Sequence, residues 1–233
     1  MNTPARDTAS KPPAGTFDRA NARFAGAMFL LAMVASLSGG LLLQSILNQP
    51  DLLTAIDAQK PLLLAGVVLE LLNAFAVIGI AAAFWVPLKR RAPGMTAGYL
   101  ALRTLEAAVC FAAALIPLLL LGLTGPNGAG RFSADGDIIL YATMLNTLRD
   151  GITAYAVPIF FAAGGLLLYI MLLRSGLVHK YIAVWGIIAV FCVAANMFVP
   201  DVMIKGLLAL PIILNEVYLG GYLLIKGFRK ESQ

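Results

Sequence analysis

Long apolar runs alternate with short polar connections along most of this chain. Six runs reach the roughly 20 helical residues that crossing a bilayer requires. They cover residues 24–47, 62–86, 97–123, 152–173, 181–199 and 206–225. None of them alternates apolar and polar residues at every second position, which argues for helices and against the strands of a membrane barrel. The pattern predicts a bundle of six transmembrane helices.

The composition supports a membrane protein. Of the 233 residues, 60% are hydrophobic and 12% are charged, whereas an ordinary soluble domain has about 45–50% apolar and about 25% charged residues. A soluble domain of this size needs more charged side chains to cover its surface. The composition therefore excludes an ordinary soluble domain and a disordered chain, and we predict an all-α integral membrane protein.

Lysine and arginine are distributed unequally between the two sides that six spans would create. Twelve lie in the N-terminal tail, the second and fourth connections and the C-terminal segment, and three lie opposite, at Lys60, Arg131 and Lys205. Because cytoplasmic connections are enriched in these residues, we predict that both termini are cytoplasmic. Four aromatic residues fall near the predicted inner boundary, where an aromatic belt would lie: Trp85, Tyr99, Tyr181 and Trp185.

The positive charge points to lipid as a partner. The net charge of +5 follows the predicted topology and forms no basic patch interleaved with exposed aromatic residues, so nucleic acid is not expected to bind. The anionic inner leaflet of the bilayer is the expected partner. We therefore place the protein in the cytoplasmic (inner) membrane.

A single domain is predicted. Residues 1–15 are polar and proline-containing and should form a flexible cytoplasmic tail, residues 16–228 the transmembrane domain, and residues 229–233 a cytoplasmic C-terminal end. The helical pattern from residue 138 to residue 173 would be about 54 Å long, well beyond the ~30 Å hydrocarbon core. Either the fourth helix projects outward or residues 138–148 form an extra interfacial helix that bends away near Gly151, and we favour the interfacial helix.

Small residues recur at spacings that suit contacts between helices. Ala32, Ser36 and Gly40 fall on one face of the first span, and we predict that they meet another helix, because small residues let backbones approach closely. Other small residues at such positions are Gly79, Ala83, Gly164, Gly165, Gly220 and Gly221. Packing within the bundle and association into a homo-oligomer both remain open.

Charged side chains lie inside the predicted spans, where each costs about 2.5–3.5 kcal/mol to insert. Arg103 and Glu106 share a face of the third span, and Glu216 lies at a depth similar to that of Glu106. We therefore expect Arg103 to contact at least one of these two carboxylates. Arg149 is assigned to the outer boundary. The candidate polar site consists of Glu70, Asn73, Arg103, Glu106, Asn215 and Glu216.

No motif names a reaction. The chain has one histidine, His179, and two cysteines, Cys110 and Cys192, without metal-ligand spacing. Phosphate-binding, dinucleotide-binding, serine-hydrolase and zinc-protease motifs are missing from the sequence. We therefore predict no catalytic residue, no cofactor and no metal, and an enzyme is the less favoured class.

Three functions remain open for the polar residues. The favoured one is a protein that binds or moves a small molecule or ion through a cavity lined by these carboxylates and Arg103. The second is a non-catalytic scaffold or accessory subunit in which the same residues tie helices together. The third is an intramembrane enzyme that uses a buried carboxylate. A cavity that water can reach would favour the first or third function, and a dry, fully paired cluster the second.

Three segments carry a resemblance to a known family. They are Leu-Arg-Thr-Leu-Glu at 102–106, the stretch at 172–186 that joins the fourth and fifth spans, and the stretch from Pro211 to Phe228. In order and spacing they resemble a bacterial membrane-protein family known as domain of unknown function 4386, although His179 stands where that family usually has proline. The resemblance implies a multi-helix bacterial inner-membrane protein. The family has no assigned activity, so no functional residue is transferred.

Overall fold

The computed structural model describes residues 14–124 and 135–229, and every regular element within them is helical. The elements are α1 (Ala14–Leu47), α2 (Leu52–Ala58), α3 (Lys60–Lys89), α4 (Pro93–Thr124), α5 (Asp135–Gly151), a π-helical segment (Ile152–Ala156), α6 (Val157–Ser175), α7 (Lys180–Asn196) and α8 (Val202–Ile225). The predicted all-helical class is confirmed. Most of the predicted tail lies outside the described residues.

Five stretches are long and apolar enough to cross a membrane. They are Arg19–Leu47, Lys60–Lys89, Pro93–Thr124, Asp137–Ser175 and Val202–Ile225. Helix α7 covers the remaining predicted span and is also apolar, but it has only 17 residues. The structure therefore shows a membrane protein with five helices of spanning length and a sixth apolar helix at the lower limit of that length.

Residues 138–148 do not form a separate interfacial helix. Helix α5, the π-helical segment and α6 follow one another without a break, so the favoured prediction was wrong on this point. The physical reason lies around Pro158, whose ring would clash with the carbonyl group four residues earlier in a regular α-helix. The wider turn of the π-helical segment just before α6 accommodates the proline and lets the helix continue.

Contacts between chain segments bring four basic regions to one end of the bundle. The backbone N–H of Arg229 donates to the carbonyl of Leu177 (2.8 Å), and the side chain of Arg91 donates to the carbonyl of Ser175 (2.5 Å). Gly227 lies beside the side chain of Arg19. We call this the basic end; it comprises residues 19–23, 89–92, 174–180 and 226–229.

Helix α1 packs against α3 and α8 through glycines, while α4 packs between α3 and α6. A Cβ atom at Gly39 would lie 3.1 Å from the carbonyl oxygen of Gly66, and one at Gly26 would lie 2.5 Å from that of Gly220. By contrast, a Cβ at Gly40 would have nothing within 4 Å. The prediction that Gly40 meets another helix was therefore wrong, because one residue along a helix turns the contact face by about 100°.

Candidate functional site

The first buried ion pair lies within α4. Nη1 of Arg103 donates to Oε2 of Glu106 at 2.8 Å and to Oε1 at 3.1 Å, and each side chain is 3% exposed. The spacing of three residues places both side chains on one face of the helix. The predicted contact between Arg103 and one of the two carboxylates is confirmed for Glu106.

Aromatic rings enclose the Arg103 guanidinium. The ring centres of Tyr99 and Phe161 lie 5.6 and 5.1 Å from its central carbon, within the range of a cation–π interaction. Tyr99 is completely buried, so its predicted place in an aromatic belt at the boundary was wrong. It lies four residues before Arg103 on α4 and therefore faces the same interior region.

Glu216 of α8 lies within electrostatic reach of this pair. Its charge acts on Arg103, and that of Glu106 acts on Glu216. The neighbouring Asn215 points elsewhere: it is fully buried, and its Nδ2 donates to the carbonyl of Ile182 in α7 at 3.0 Å. Asn215 thus joins α8 to α7, whereas Glu216 adds a second carboxylate near Arg103.

The second buried ion pair joins two helices. Nη2 of Arg149 in α5 lies 2.5 Å from Oε1 of Glu70 in α3. Arg149 is 4% exposed, so its assignment to the outer boundary missed its role as the partner of Glu70. The sequence carried a signal for the burial of Arg149, though not for its partner, because Ile138, Ala142 and Arg149 recur at helical spacing, and all three are buried. Asn73, three residues after Glu70, is half-buried.

Cys110 lies between the two ion pairs. It follows Glu106 by about one turn of α4 and is buried. Electrostatic interactions reach it from Glu106 and Arg103 of the first pair and from Glu70 of the second. We refer to the two ion pairs and Cys110 together as the polar path.

Several buried polar atoms along and beside the polar path have no hydrogen-bond partner among the described residues. They are Oε2 of Glu70, the hydroxyls of Tyr99 and Tyr169, Nε of Arg103, Nε of Arg149 and Oδ1 of Asn215. Buried polar groups in proteins are almost always satisfied, and each unsatisfied group costs about 1–3 kcal/mol. These atoms offer both donors and acceptors to a small polar species.

Helix α6 approaches Arg103 through a glycine. A Cβ atom at Gly164 would lie 3.5 Å from Nε of Arg103, in ordinary van der Waals contact. Any larger side chain at this position would cover the unpartnered nitrogen. Within residues 14–124 and 135–229, no group of three or more histidine, cysteine, aspartate or glutamate residues could hold a metal ion.

These features define the class of protein: a multi-pass helical membrane protein with paired charges in its interior. The chain belongs to the family described as domain of unknown function DUF4386, whose model matches residues 24–227. The match begins within α1 and ends just after α8, so the whole bundle is the family domain. No curated protein and no solved structure matches the chain.

Proposed function

We propose that the chain crosses the bacterial cytoplasmic membrane six times, with both termini in the cytoplasm. Helix α7 is about 26 Å long at 1.5 Å per residue, close to the thickness of the hydrocarbon core. An odd number of crossings would separate the termini, whereas the contact of Gly227 with Arg19 supports their lying on one side. The excess of lysine and arginine at the basic end supports a cytoplasmic orientation. A reporter fused after Phe228 should give a cytoplasmic signal, and a periplasmic signal would contradict the proposal.

We further propose that the polar path binds or moves a small molecule or ion. The observation that carries this proposal is the placement of Arg103 and Glu106 on one helix. The ion pair itself lies within α4 and joins no two helices, yet both charges must be desolvated, which generally offsets the gain from pairing. The unpartnered Nε of Arg103 and hydroxyl of Tyr99 beside the pair supply hydrogen-bonding groups for a ligand.

A scaffold role is the second candidate, and the pair between Glu70 and Arg149 favours it. This pair joins α3 to α5 and serves packing directly. A scaffold would keep the polar path dry, whereas a binding or transport site would admit water. The two functions can therefore be separated by the access of water to Cys110.

The test uses the variant Cys192→Ala, which leaves Cys110 as the single thiol. Membranes are treated with the small charged reagent methanethiosulfonate ethylammonium, and modification is measured by mass spectrometry. We expect Cys110 to react in the folded protein, because the polar path admits water. The matched control is Cys110→Ala, in which only Cys192 remains. A Cys110 that reacts only after denaturation would overturn the binding proposal and favour the scaffold.

A further inference from the structure

A cavity of about 400 Å³ opens at the basic end, away from the polar path. It lies where α3 ends, α4 begins and α6 ends. Its polar lining consists of Arg91, Arg174 and Ser175, and its apolar lining of Leu88, Ala92, Met95 and Met171. No acidic residue is among these lining residues, so the cavity combines a positive rim with an apolar wall.

Arg91 is positioned at the rim by a specific contact. Its guanidinium donates to the carbonyl oxygen of Ser175 in the last turn of α6. This contact neutralises a carbonyl that would otherwise repel an anion at the negative end of a helix. The first turn of α4 also borders the cavity through Met95, and the positive end of the helix dipole favours an anion there.

Arg174 supplies the second positive charge. Its side chain is exposed and makes no hydrogen bond or ion pair with the described residues. A guanidinium group presents several N–H donors in a planar fork that matches the oxygens of a phosphate. Two arginines on one cavity thus suit a phosphate group better than a point charge such as chloride.

Residues beside the cavity are of the types that occur at the depth of lipid headgroups. On α3, Lys89 lies over the ring of Trp85 at 5.2 Å, and Leu88 of the cavity wall belongs to the same turn. Tryptophan and lysine are typical of the membrane–water interface. Behind the rim, Leu88 and Met171 are almost fully buried, so the wall continues into the apolar interior.

We propose that this cavity binds the phosphate of an anionic phospholipid of the inner leaflet, with the exposed Arg174 contacting the phosphate, Arg91 lying beside it on the same rim, and the methionines lining the path of an acyl chain. Basic pockets between transmembrane helices on the cytoplasmic side recognise acidic headgroups in this way. A lipid fits better than a free phosphate because the wall behind the arginines is apolar. Of the proposed function, this lipid site requires only that the basic end is cytoplasmic. It does not depend on ligand binding at the polar path.

Native mass spectrometry of the detergent-purified protein tests the proposal. The protein is titrated with phosphatidylglycerol, with zwitterionic phosphatidylethanolamine, and with phosphatidylglycerol in the presence of inorganic phosphate. We expect one preferentially retained phosphatidylglycerol that inorganic phosphate at millimolar concentration does not displace. Displacement by inorganic phosphate would assign the site to a soluble phosphate and overturn the lipid as its source.

The variant Arg174→Gln should weaken phosphatidylglycerol binding about fivefold, the ratio expected for losing one arginine near an anionic headgroup. The matched control is Arg90→Gln, which removes the same charge from an exposed residue outside the cavity lining and should bind as the wild type does. Equal losses in the two variants would show unspecific attraction and overturn the proposal. Arg174→Lys keeps the charge without the fork, and we expect it to bind with intermediate affinity.

Discussion

The two buried ion pairs have the same chemistry but different architecture. Arg103 and Glu106 are three residues apart on α4, whereas Glu70 and Arg149 are 79 residues apart and join α3 to α5. The second pair holds two helices together, and the first does not. The difference separates what a buried charge contributes to packing from what it offers to a ligand, and it is the reason why the proposed binding function is assigned to the pair on α4.

A third ion pair shows that residue spacing alone does not determine how much an ion pair affects stability. Lys60 lies 2.6 Å from Asp57, again three residues away, but the side chains are 46% and 53% exposed. The hydrogen bond and charge of Lys60 hold the pKa of the Asp57 carboxyl below its ordinary value. Exposed ion pairs contribute little to stability. The large effect on stability expected for the pair on α4 therefore comes from its burial.

The largest effect is expected for Arg103→Met. This change leaves Glu106 and Glu216 without their counter-charge in the interior, and breaking a buried pair costs about 3–5 kcal/mol. Unfolding in detergent by a denaturing surfactant measures the loss. The double variant Arg103→Met with Glu106→Gln should recover a large part of it, because one stranded carboxylate is removed. Losses that simply add in the double variant would show that the two residues are not coupled.

A somewhat smaller effect is expected for Arg149→Met, about 3 kcal/mol. Its partner Glu70 is 15% exposed and can reach polar surroundings more easily than Glu106 can. Hydrogen exchange should rise selectively in α5, whose docking on α3 depends on this pair. Asp150→Asn, at an exposed neighbouring position, is the control and should leave exchange unchanged. An equal rise in α5 for Arg103→Met would remove the distinction between the local and the interhelical pair.

The smallest effect is expected for Gly164→Ala, within about 1 kcal/mol of the wild type. The new methyl group would meet Nε of Arg103 at an ordinary contact distance, and alanine favours a helix by about 1 kcal/mol over glycine. The matched variant is Gly165→Ala, whose Cβ would lie 2.9 Å from Cγ2 of Val190 and should cost about 1–3 kcal/mol. Thermal unfolding of both variants checks this. If Gly164→Ala destabilised the protein as much as Gly165→Ala does, the space beside the Arg103 guanidinium could not be open to a ligand.

Local relationships could be predicted from the sequence, and distant ones could not. The contact of Arg103 with Glu106 follows from helical spacing within one element. The pairing of Arg149 with Glu70 depends on how α5 is placed against α3, which no local pattern encodes. Tyr99 was misplaced for a different reason: its depth was counted from the predicted helix edge, but its helix face determines its burial.

For helix packing and helix length, too, the sequence predicts local features but not those that depend on how helices are placed against each other. The six apolar runs can be read directly from the pattern of hydrophobic residues along the sequence, and all six are helical in the structure. The choice between Gly39 and Gly40 as the contact residue depends on the rotation of α1 against α3. The continuity of α5 with α6 depends on a π-helical turn, for which apolar periodicity gives no signal.

The π-helical segment also determines how far α5 is rotated about the helix axis relative to α6, which continues from it. Such a segment accommodates one residue more than a regular α-helix, and each residue of an α-helix turns the chain by about 100°. Deleting one residue within Ile152–Ala156 would therefore rotate all of α5 by about 100° relative to α6. Arg149 would turn away from Glu70 while α6 kept its place beside Arg103. A single insertion or deletion in this segment is thus a route by which related sequences can re-aim α5 without rebuilding the rest of the bundle.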